Sequence, residues 1–222
     1  MAKSKAVKVL LVDDQPVFST GLCALLENTK KFEISGMANN IDDALKIAKK
    51  ENPALVLLEI NVSKDSGIDL ISKLKNINPQ VIILVISIND EQYYSERVLR
   101  AGARGYLMKT CEGSEFLNAV NSVLDGKVYL SGAQRDRIFL ALTGNNNNEK
   151  KDWNSSIQKL SNRELQVFSL IGKGYGTIEI ASKFNISTKT IDSHKEHLKF
   201  KLHCSSSQEL RQLAIEWTRS NR

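Results

Sequence analysis

Five polar residues with chemistry-bearing side chains follow apolar, strand-like segments in the first half of the chain. They are, in chain order, Asp13, Asp14, Glu59, Ser87 and Lys109. In open parallel α/β sheets the carboxyl ends of the strands meet at one edge, and ligands bind beside that edge. The pattern therefore predicts that three carboxylates, a hydroxyl and an ammonium group converge on one rim.

This set of groups suits two kinds of chemistry. Clustered carboxylates are the ligands that Mg²⁺ prefers, and a lysine beside them can bind a phosphoryl oxygen or neutralise a carboxylate. The alternative interpretation is that polar residues simply begin where strands end. A metal-dependent phosphohydrolase is a further alternative, but this sequence offers no general base for it beyond the carboxylates. We predict that the chain is not an enzyme.

The elements that must position these groups alternate between strand and helix. The predicted strands are residues 7–12, 32–37, 54–58, 81–86 and 104–107, and the predicted helices are 16–28, 41–50, 67–76, 90–101 and 113–125. Several strands are near-continuous Val, Ile and Leu runs, as expected when helices cover both faces of a sheet. The order predicts an α/β, doubly wound, five-stranded parallel sheet.

Charge and composition divide the rest of the chain. Residues 1–130 carry 16 Lys and Arg against 16 Asp and Glu, whereas residues 131–222 carry 15 against 9. The basic excess predicts that the C-terminal part meets a polyanion. Residues 144–152 include four consecutive asparagines, which are typical of a linker. We predict a regulatory domain over 1–130, a linker over 131–156 with a possible helix at 131–142, and a smaller all-α domain over 157–222.

The C-terminal domain contains a predicted helix-turn-helix. Helical periodicity covers residues 162–172, 178–184, 188–202 and 207–217, with a short turn at 185–187. Ile191, Leu198 and Leu202 share one face of the third helix, which we expect in the core. The opposite face is then available to DNA.

Residues 6–126 resemble the receiver domain of response regulators. The resemblance rests on Leu11-Val12-Asp13-Asp14, Leu57-Leu58-Glu59, Gly67, Ser87 and residues 101–109, and it implies a flavodoxin-like strand order. It implies that Asp13 and Asp14 hold Mg²⁺, that Ser87 and Lys109 contact a phosphoryl group, and that Tyr106 is the switch aromatic.

One departure from the family is decisive for function. Glu59 stands where the family has its phospho-accepting aspartate, and Val62-Ser63 replaces the usual Met-Pro. Glutamate is longer by one C–C bond, about 1.5 Å, so we expect ordinary phosphotransfer to be lost. The longer side chain of Glu59 argues against binding of Mg²⁺ at this site. We expect that the protein requires no cofactor. Glu59 either imitates the phosphorylated state by pairing with Lys109 and Ser87, or is inert.

The C-terminal domain resembles the LuxR/NarL/FixJ-type DNA-binding domain. The resemblance rests on residues 160–167, 179–181, 186–187 and 189–194, with Gly172 departing from the usual alanine. It implies phosphate contacts from Ser187, Lys189, Thr190, His194, Lys195 and Lys199, and base contacts from Asp192, Ser193 and Glu196.

These patterns together predict a sequence-specific transcription regulator. The expected partners are duplex DNA, a second copy of the chain, and a sensor kinase or another protein. A stripe such as Leu210, Leu213, Ala214 and Trp217 is usually core, and the family resemblance implies that its helix also mediates dimerisation. A protein-interaction module that has lost specific DNA binding is the alternative. His194, His197, His203 and Cys204 are a weaker metal-binding alternative. We expect a cytoplasmic protein with no membrane partner, since no apolar run is long enough for a membrane span or signal peptide.

Overall fold

The structure is a computed structural model that describes residues 6–62, 67–142 and 153–220. The chain divides into two compact units, Met1–Thr143 and Gly144–Arg222. Ser63 and the predicted Asn-rich linker segment 144–152 lie outside the described residues. Each unit is described by itself below.

The first unit is built on a five-stranded parallel sheet. Its strands are β1 (Val7–Val12), β2 (Phe32–Ala38), β3 (Leu55–Leu58), β4 (Ile82–Ser87) and β5 (Gly105–Met108). Their order is β2-β1-β3-β4-β5, and each neighbouring pair is parallel. The predicted doubly wound fold, with its flavodoxin-like order, is confirmed.

Helices cover both faces of this sheet. They are α1 (Pro16–Glu27), α2 (Ile41–Glu51), α3 (Gly67–Ile77), α4 (Glu91–Ala101) and α5 (Gly113–Leu124). All four residues of β3 are buried, which explains why the sequence shows an unbroken apolar run there. Local signals fix the helix ends: the Asp90 carboxylate accepts from Gln92 N at the start of α4, and Gly102 adopts a φ of 110° at its end.

The chain continues beyond α5 along the outer edge of β5. Tyr129 forms a parallel bridge with Gly105, and the carbonyl of Tyr129 accepts from Tyr106 N at 2.9 Å. A Cβ at Gly105 would lie 2.8 Å from that carbonyl oxygen, so only glycine permits this approach. The predicted helix over 131–142 follows as α6 (Gly132–Leu142). Its Gln134 Nε2 donates to Ser95 Oγ of α4 at 2.9 Å, so contacts place α6 with the first unit.

The second unit is entirely helical over its described residues. It contains α7 (Trp153–Gln158), α8 (Asn162–Gly172), α9 (Thr177–Phe184), α10 (Thr188–Lys201) and α11 (Ser207–Arg219). Helix α7 was not predicted, because six residues are too few to show a helical period. Phe168 and Trp217 join α8 to α11 with their ring centroids 5.3 Å apart. No helix in the described ranges is long and apolar enough to cross a membrane.

Candidate functional site

Glu59 lies at the carboxyl end of β3 with 3% of its surface exposed. Its Oε1 accepts from Ser87 Oγ at 2.6 Å and from Asn61 N at 3.0 Å. Its Oε2 lies 3.2 Å from Lys109 Nζ. Both carboxylate oxygens therefore face donors supplied by the chain itself.

Lys109 joins this carboxylate to a second one. Its Nζ lies 2.6 Å from Asp13 Oδ2 and donates to Gln15 Oε1 at 3.3 Å. The ammonium also lies 4.5 Å from the centre of the Phe18 ring, within range of a cation–π contact. An ammonium has three protons, and Asp13, Glu59 and Gln15 provide an acceptor for each of them.

Ser87 is held by Asn89, a residue that the sequence analysis did not single out. Asn89 directs its Nδ2 at Ser87 Oγ at 3.0 Å and its backbone N at 3.2 Å. A serine hydroxyl has one proton and two lone pairs, so its proton is left for Glu59. The carbonyl of Asn89 in turn accepts from Tyr106 OH at 2.8 Å.

Tyr106 is fully buried, which places the predicted switch aromatic inside the unit. Burial raises the pKa of Tyr106 well above its ordinary value of 10.0, and the Glu59 charge adds to that rise. The neighbouring Tyr94 has its pKa raised by burial as well. Both phenols are therefore neutral at physiological pH, and the Tyr106 hydroxyl remains a donor.

The loop after β3 requires glycine at its far end. Gly67 N donates to the carbonyl of Ile60 at 2.8 Å. A Cβ at Gly67 would lie 2.7 Å from Ile60 Cα and 2.8 Å from the carbonyl oxygen of Glu59. The backbone of α3 thus packs directly on the residue that carries the central carboxylate.

The structure brings together Asp13, Glu59, Ser87 and Lys109, as predicted, whereas Asp14 is exposed. The resemblance implies a magnesium ion between Asp13 and Asp14. Asp13 Oδ2 is taken by Lys109 and Oδ1 accepts from Gln15 N at 2.8 Å. Over the described parts of the chain, no group of three or more His, Cys, Asp and Glu side chains could hold a metal. Since Mg²⁺ demands near-octahedral oxygen ligands, these residues as arranged do not fit it.

Helix α10 supplies the second candidate site. Ile191 and Leu198 are completely buried and Leu202 is 6% exposed, which confirms the predicted core face. The opposite face is exposed at Lys189, Thr190, Asp192, Ser193 and Glu196. The helix begins at a cap in which Ser187 Oγ accepts from Thr190 N at 3.1 Å, so its first turn is fixed.

Several predicted DNA-contacting side chains already have partners within the unit. Lys195 donates to Thr177 Oγ1 at the start of α9. Lys199 lies 2.9 Å from Glu196 Oε1, and Ser193 Oγ donates to the carbonyl of Lys189 at 3.1 Å. A lysine ammonium has three protons and a serine hydroxyl has two lone pairs, so these side chains can contact DNA in addition to their present partners.

His194 is half-buried beside α8. Burial lowers the pKa of His194 below its ordinary 6.5, and the positive charge of Arg163 lowers it further. The imidazole is therefore mostly neutral at pH 7 and can donate a hydrogen bond without adding charge. No metal-binding group forms around the predicted His and Cys set within the described residues.

The C-terminal stripe is largely core. Leu210, Ala214 and Trp217 are 1%, 0% and 5% exposed, whereas Leu213 is half-buried. A Cβ at Gly172 would lie 2.3 Å from the carbonyl oxygen of Ala214. The glycine that departs from the family pattern thus allows α8 and α11 to approach closely.

Comparisons with known proteins agree with this architecture. Residues 9–121 match the model of the response regulator receiver domain, and residues 158–214 match that of bacterial regulatory proteins of the luxR family. The two-unit fold and its rim of polar residues define a response regulator, and the chain belongs to the family that joins a receiver domain to a luxR-type domain.

Two of the similar proteins share both parts, and a third shares the receiver domain alone. The chain is 30% identical over 211 residues to the oxygen regulatory protein NreC of Staphylococcus aureus, covering 95% of this chain and 97% of that protein. It is similar in fold to Salmonella typhimurium RcsB, with a TM-score of 0.69 at 21% identity over 96% of this chain and 98% of that one. The receiver domain of the putative response regulator NarL from Mycobacterium tuberculosis gives a TM-score of 0.53 at 26% identity, covering 56% of this chain and 100% of that one.

Proposed function

We propose that this chain is a sequence-specific, DNA-binding transcription regulator whose receiver domain is not controlled by ordinary aspartyl phosphorylation. The observation that carries the DNA-binding part is the exposed face of α10. This helix buries Ile191 and Leu198 and leaves Lys189 and Asp192 exposed. A capped helix with one buried and one polar exposed face is what a helix-turn-helix inserts into the major groove.

The residues on the exposed face of α10 have different roles in DNA binding in this proposal. Lys189 binds a phosphate, which fixes position but carries no sequence information. Asp192 accepts a hydrogen bond from a base edge, and the exocyclic amine of cytosine is the donor that a carboxylate reads. Glu196 is partly neutralised by Lys199 at 2.9 Å, so Asp192 is the stronger candidate for base recognition.

A protein of similar fold supports the DNA-binding part of the proposal. The two-component response regulator RcsB has been solved as a DNA complex, and its fold resembles this chain with a TM-score of 0.56 at 22% identity, over 96% of this chain and 99% of that one. The basic excess of residues 131–222, which carry 15 Lys and Arg against 9 Asp and Glu, supports binding to a polyanion.

The closed cluster around Glu59 supports the second part of the proposal. A phosphoryl group must approach an open carboxylate, but Glu59 already accepts from Ser87, Asn61 and Lys109. Glu59 carries one negative charge, against about −1.5 to −2 for a phosphorylated side chain. It engages Ser87 and Lys109, the side chains that the family resemblance assigns to the phosphoryl group. We infer that Glu59 partly imitates the phosphorylated state.

The proposed binding partners of this chain are those that its family resemblance implies. We propose that the chain binds duplex DNA as a homodimer on a pseudo-palindromic site. A sensor kinase or another protein is the proposed partner of the receiver domain. Because Leu210, Ala214 and Trp217 are buried within the unit, a dimer contact through α11 must use its exposed side.

The proposal is tested by selecting bound sequences from a pool of random duplexes with the full-length chain. We expect one motif to be enriched, and the logarithm of the affinity for it to fall linearly with the logarithm of salt concentration. Equal binding to all duplexes, or no binding, would contradict the proposal and favour the protein-interaction module instead.

A further inference from the structure

The second unit contains a cavity of about 400 Å³ that is lined by residues of all four helices from α8 to α11. Two of its lining side chains are apolar and buried, since Ile171 of α8 is 6% exposed and Leu210 of α11 is 1% exposed. Thr177 and Ser207 add hydroxyl groups to the lining. Sites for small organic molecules have volumes of about 300–1,000 Å³ and combine apolar walls with a few polar groups. This cavity therefore has the size and lining of such a site.

Lys195 reaches this cavity from α10. It follows the buried Ile191 by four residues and precedes the buried Leu198 by three, so it lies on the same side of the helix as the core residues. The exposed Lys189 lies on the opposite face. Lys195 is half-buried, and its Nζ donates to Thr177 Oγ1. An ammonium has three protons, so the others are available to a ligand in the cavity.

Arg211 brings a second cation to the cavity from α11. Ser207 lies four residues before it and shares its helix face. Over the part of the chain that the structure describes, no ion pair includes Lys195 or Arg211. The described residues that line the cavity include no Asp or Glu. Burying a charge without a partner is unfavourable, so a bound anion would stabilise this arrangement.

We propose that this cavity binds a small molecule that carries a phosphate group and an apolar body. Ammonium and guanidinium groups are the strong donors to phosphate, and a guanidinium can make two parallel hydrogen bonds to it. Lys195 and Arg211 bind the phosphate oxygens, and the apolar body packs on Ile171 and Leu210. This inference goes beyond the proposed function, because it gives the DNA-binding unit a ligand of its own that does not act through Glu59.

The test is a nuclear magnetic resonance titration of the isotope-labelled, full-length chain with phenyl phosphate. Phenol is the matched probe, since it has the same ring without the phosphate. The signals to follow are the backbone amides of Gly174 and Gly176, which line the cavity. We expect phenyl phosphate to shift both amides and to bind at least about tenfold more tightly than phenol, because only phenyl phosphate accepts charge-assisted hydrogen bonds. No shift with phenyl phosphate, or equal affinity for the two probes, overturns the proposal.

Two variants and a control locate the phosphate. Arg211→Gln and Lys195→Gln should each weaken binding of phenyl phosphate by about three- to tenfold, since each removes a charge-assisted hydrogen bond. Arg211 is exposed, so its replacement should leave folding intact. The control is Arg219→Gln, which removes an exposed cation of the same helix that is not among the cavity residues; it should leave the affinity unchanged. Equal weakening by Arg211→Gln and Arg219→Gln would indicate attraction by diffuse charge and overturn the site.

A second titration separates a small phosphorylated molecule from the phosphates of the DNA backbone. It uses the chain saturated at low salt with a duplex of arbitrary sequence, because phosphate contacts carry no sequence information. Unchanged affinity for phenyl phosphate supports the proposal, whereas loss of binding assigns the two cations to the DNA backbone and overturns it. The titration without DNA does not depend on an operator, so its failure is distinguishable from failure of the operator selection.

Discussion

The hydroxyl of Ser87 donates a 2.6 Å hydrogen bond to Oε1 of Glu59, and both residues are buried. The direction of this bond is set by Asn89, whose two N–H groups point at the Ser87 oxygen. Glu59 therefore acts as an acceptor through both of its carboxylate oxygens.

Glu59→Gln should lower the free energy of unfolding by about 1–3 kcal/mol, the cost of leaving a buried polar group without its partner. The new amide places a donor where Ser87 or Lys109 also donates. Urea unfolding followed by far-UV circular dichroism measures the change. Glu96→Gln, whose side chain is 55% exposed, should change stability by less than about 0.5 kcal/mol. Equal losses in the two variants would show that the buried cluster is not special.

Acetyl phosphate should leave the mass of the native chain unchanged, because Glu59 is already engaged by Ser87, Asn61 and Lys109. Intact-mass spectrometry after incubation with the reagent gives the answer directly. Glu59→Asp withdraws the carboxylate by about 1.5 Å and is the variant expected to open the site. A covalent phosphate on Glu59 itself would falsify our account of this cluster.

Lys189→Ala and Asp192→Ala should affect DNA binding differently. The first removes an exposed phosphate-binding charge, so it should weaken all duplexes alike and reduce the salt slope by about one. The second should alter preference at one base pair by ~1–3 kcal/mol. Gel-shift titrations on the selected operator and on its single-base variants separate the two effects. If neither substitution changes operator binding, α10 is not the recognition helix.

Gly172→Ala should destabilise the second unit by about 1–3 kcal/mol, as overpacking of a filled interface does. The added methyl would lie 2.0 Å from Thr218 Oγ1 and 2.3 Å from the carbonyl oxygen of Ala214. Both tryptophans, Trp153 and Trp217, belong to this unit, so tryptophan fluorescence follows its unfolding. Gly21→Ala in α1 is the control, since nothing lies within 4 Å of its Cβ; it should leave the fluorescence-detected unfolding of the second unit unchanged. A stabilised Gly172→Ala variant would contradict the close approach of α8 and α11.

The stability of the second unit should depend on pH through Glu164. Although burial alone raises it, the net pKa of Glu164 is lowered below its ordinary 4.5 by hydrogen bonds from Lys201 and from Ser161 N. A carboxyl with a lowered folded-state pKa contributes stability above its unfolded pKa and loses it as pH falls through the folded value. The stability gap between the parent and Glu164→Gln, measured by urea unfolding, should thus be full at pH 7 and shrink below pH 4.5. A gap that is constant with pH would exclude this ion pair as its source.

Many helices and strands could be predicted from the sequence, because the patterns that indicate them lie within each segment. Strand β1 was predicted as 7–12 and helix α8 as 162–172, and both are observed with those bounds. Apolar runs and helical periods report which faces are buried without reference to distant segments. Helix α7 and the Tyr129 bridge to β5 were not predicted, because the helix has only six residues and the bridge depends on a glycine in a remote strand.

The sequence by itself determined which groups reach the rim of the sheet, and that Glu59 stands where the family has aspartate. Only the tertiary structure decided their pairing. Lys109 bridges Asp13 and Glu59 while Asp14 is left exposed, and Asn89 fixes the direction of the Ser87 proton. The physical reason is one of precision. A residue that follows a strand of a parallel sheet lies at the carboxyl-end edge of that sheet, but this places its side chain only to within several ångströms. A hydrogen bond is made or lost within a few tenths of an ångström, and it joins residues as far apart in sequence as Gln15 and Lys109.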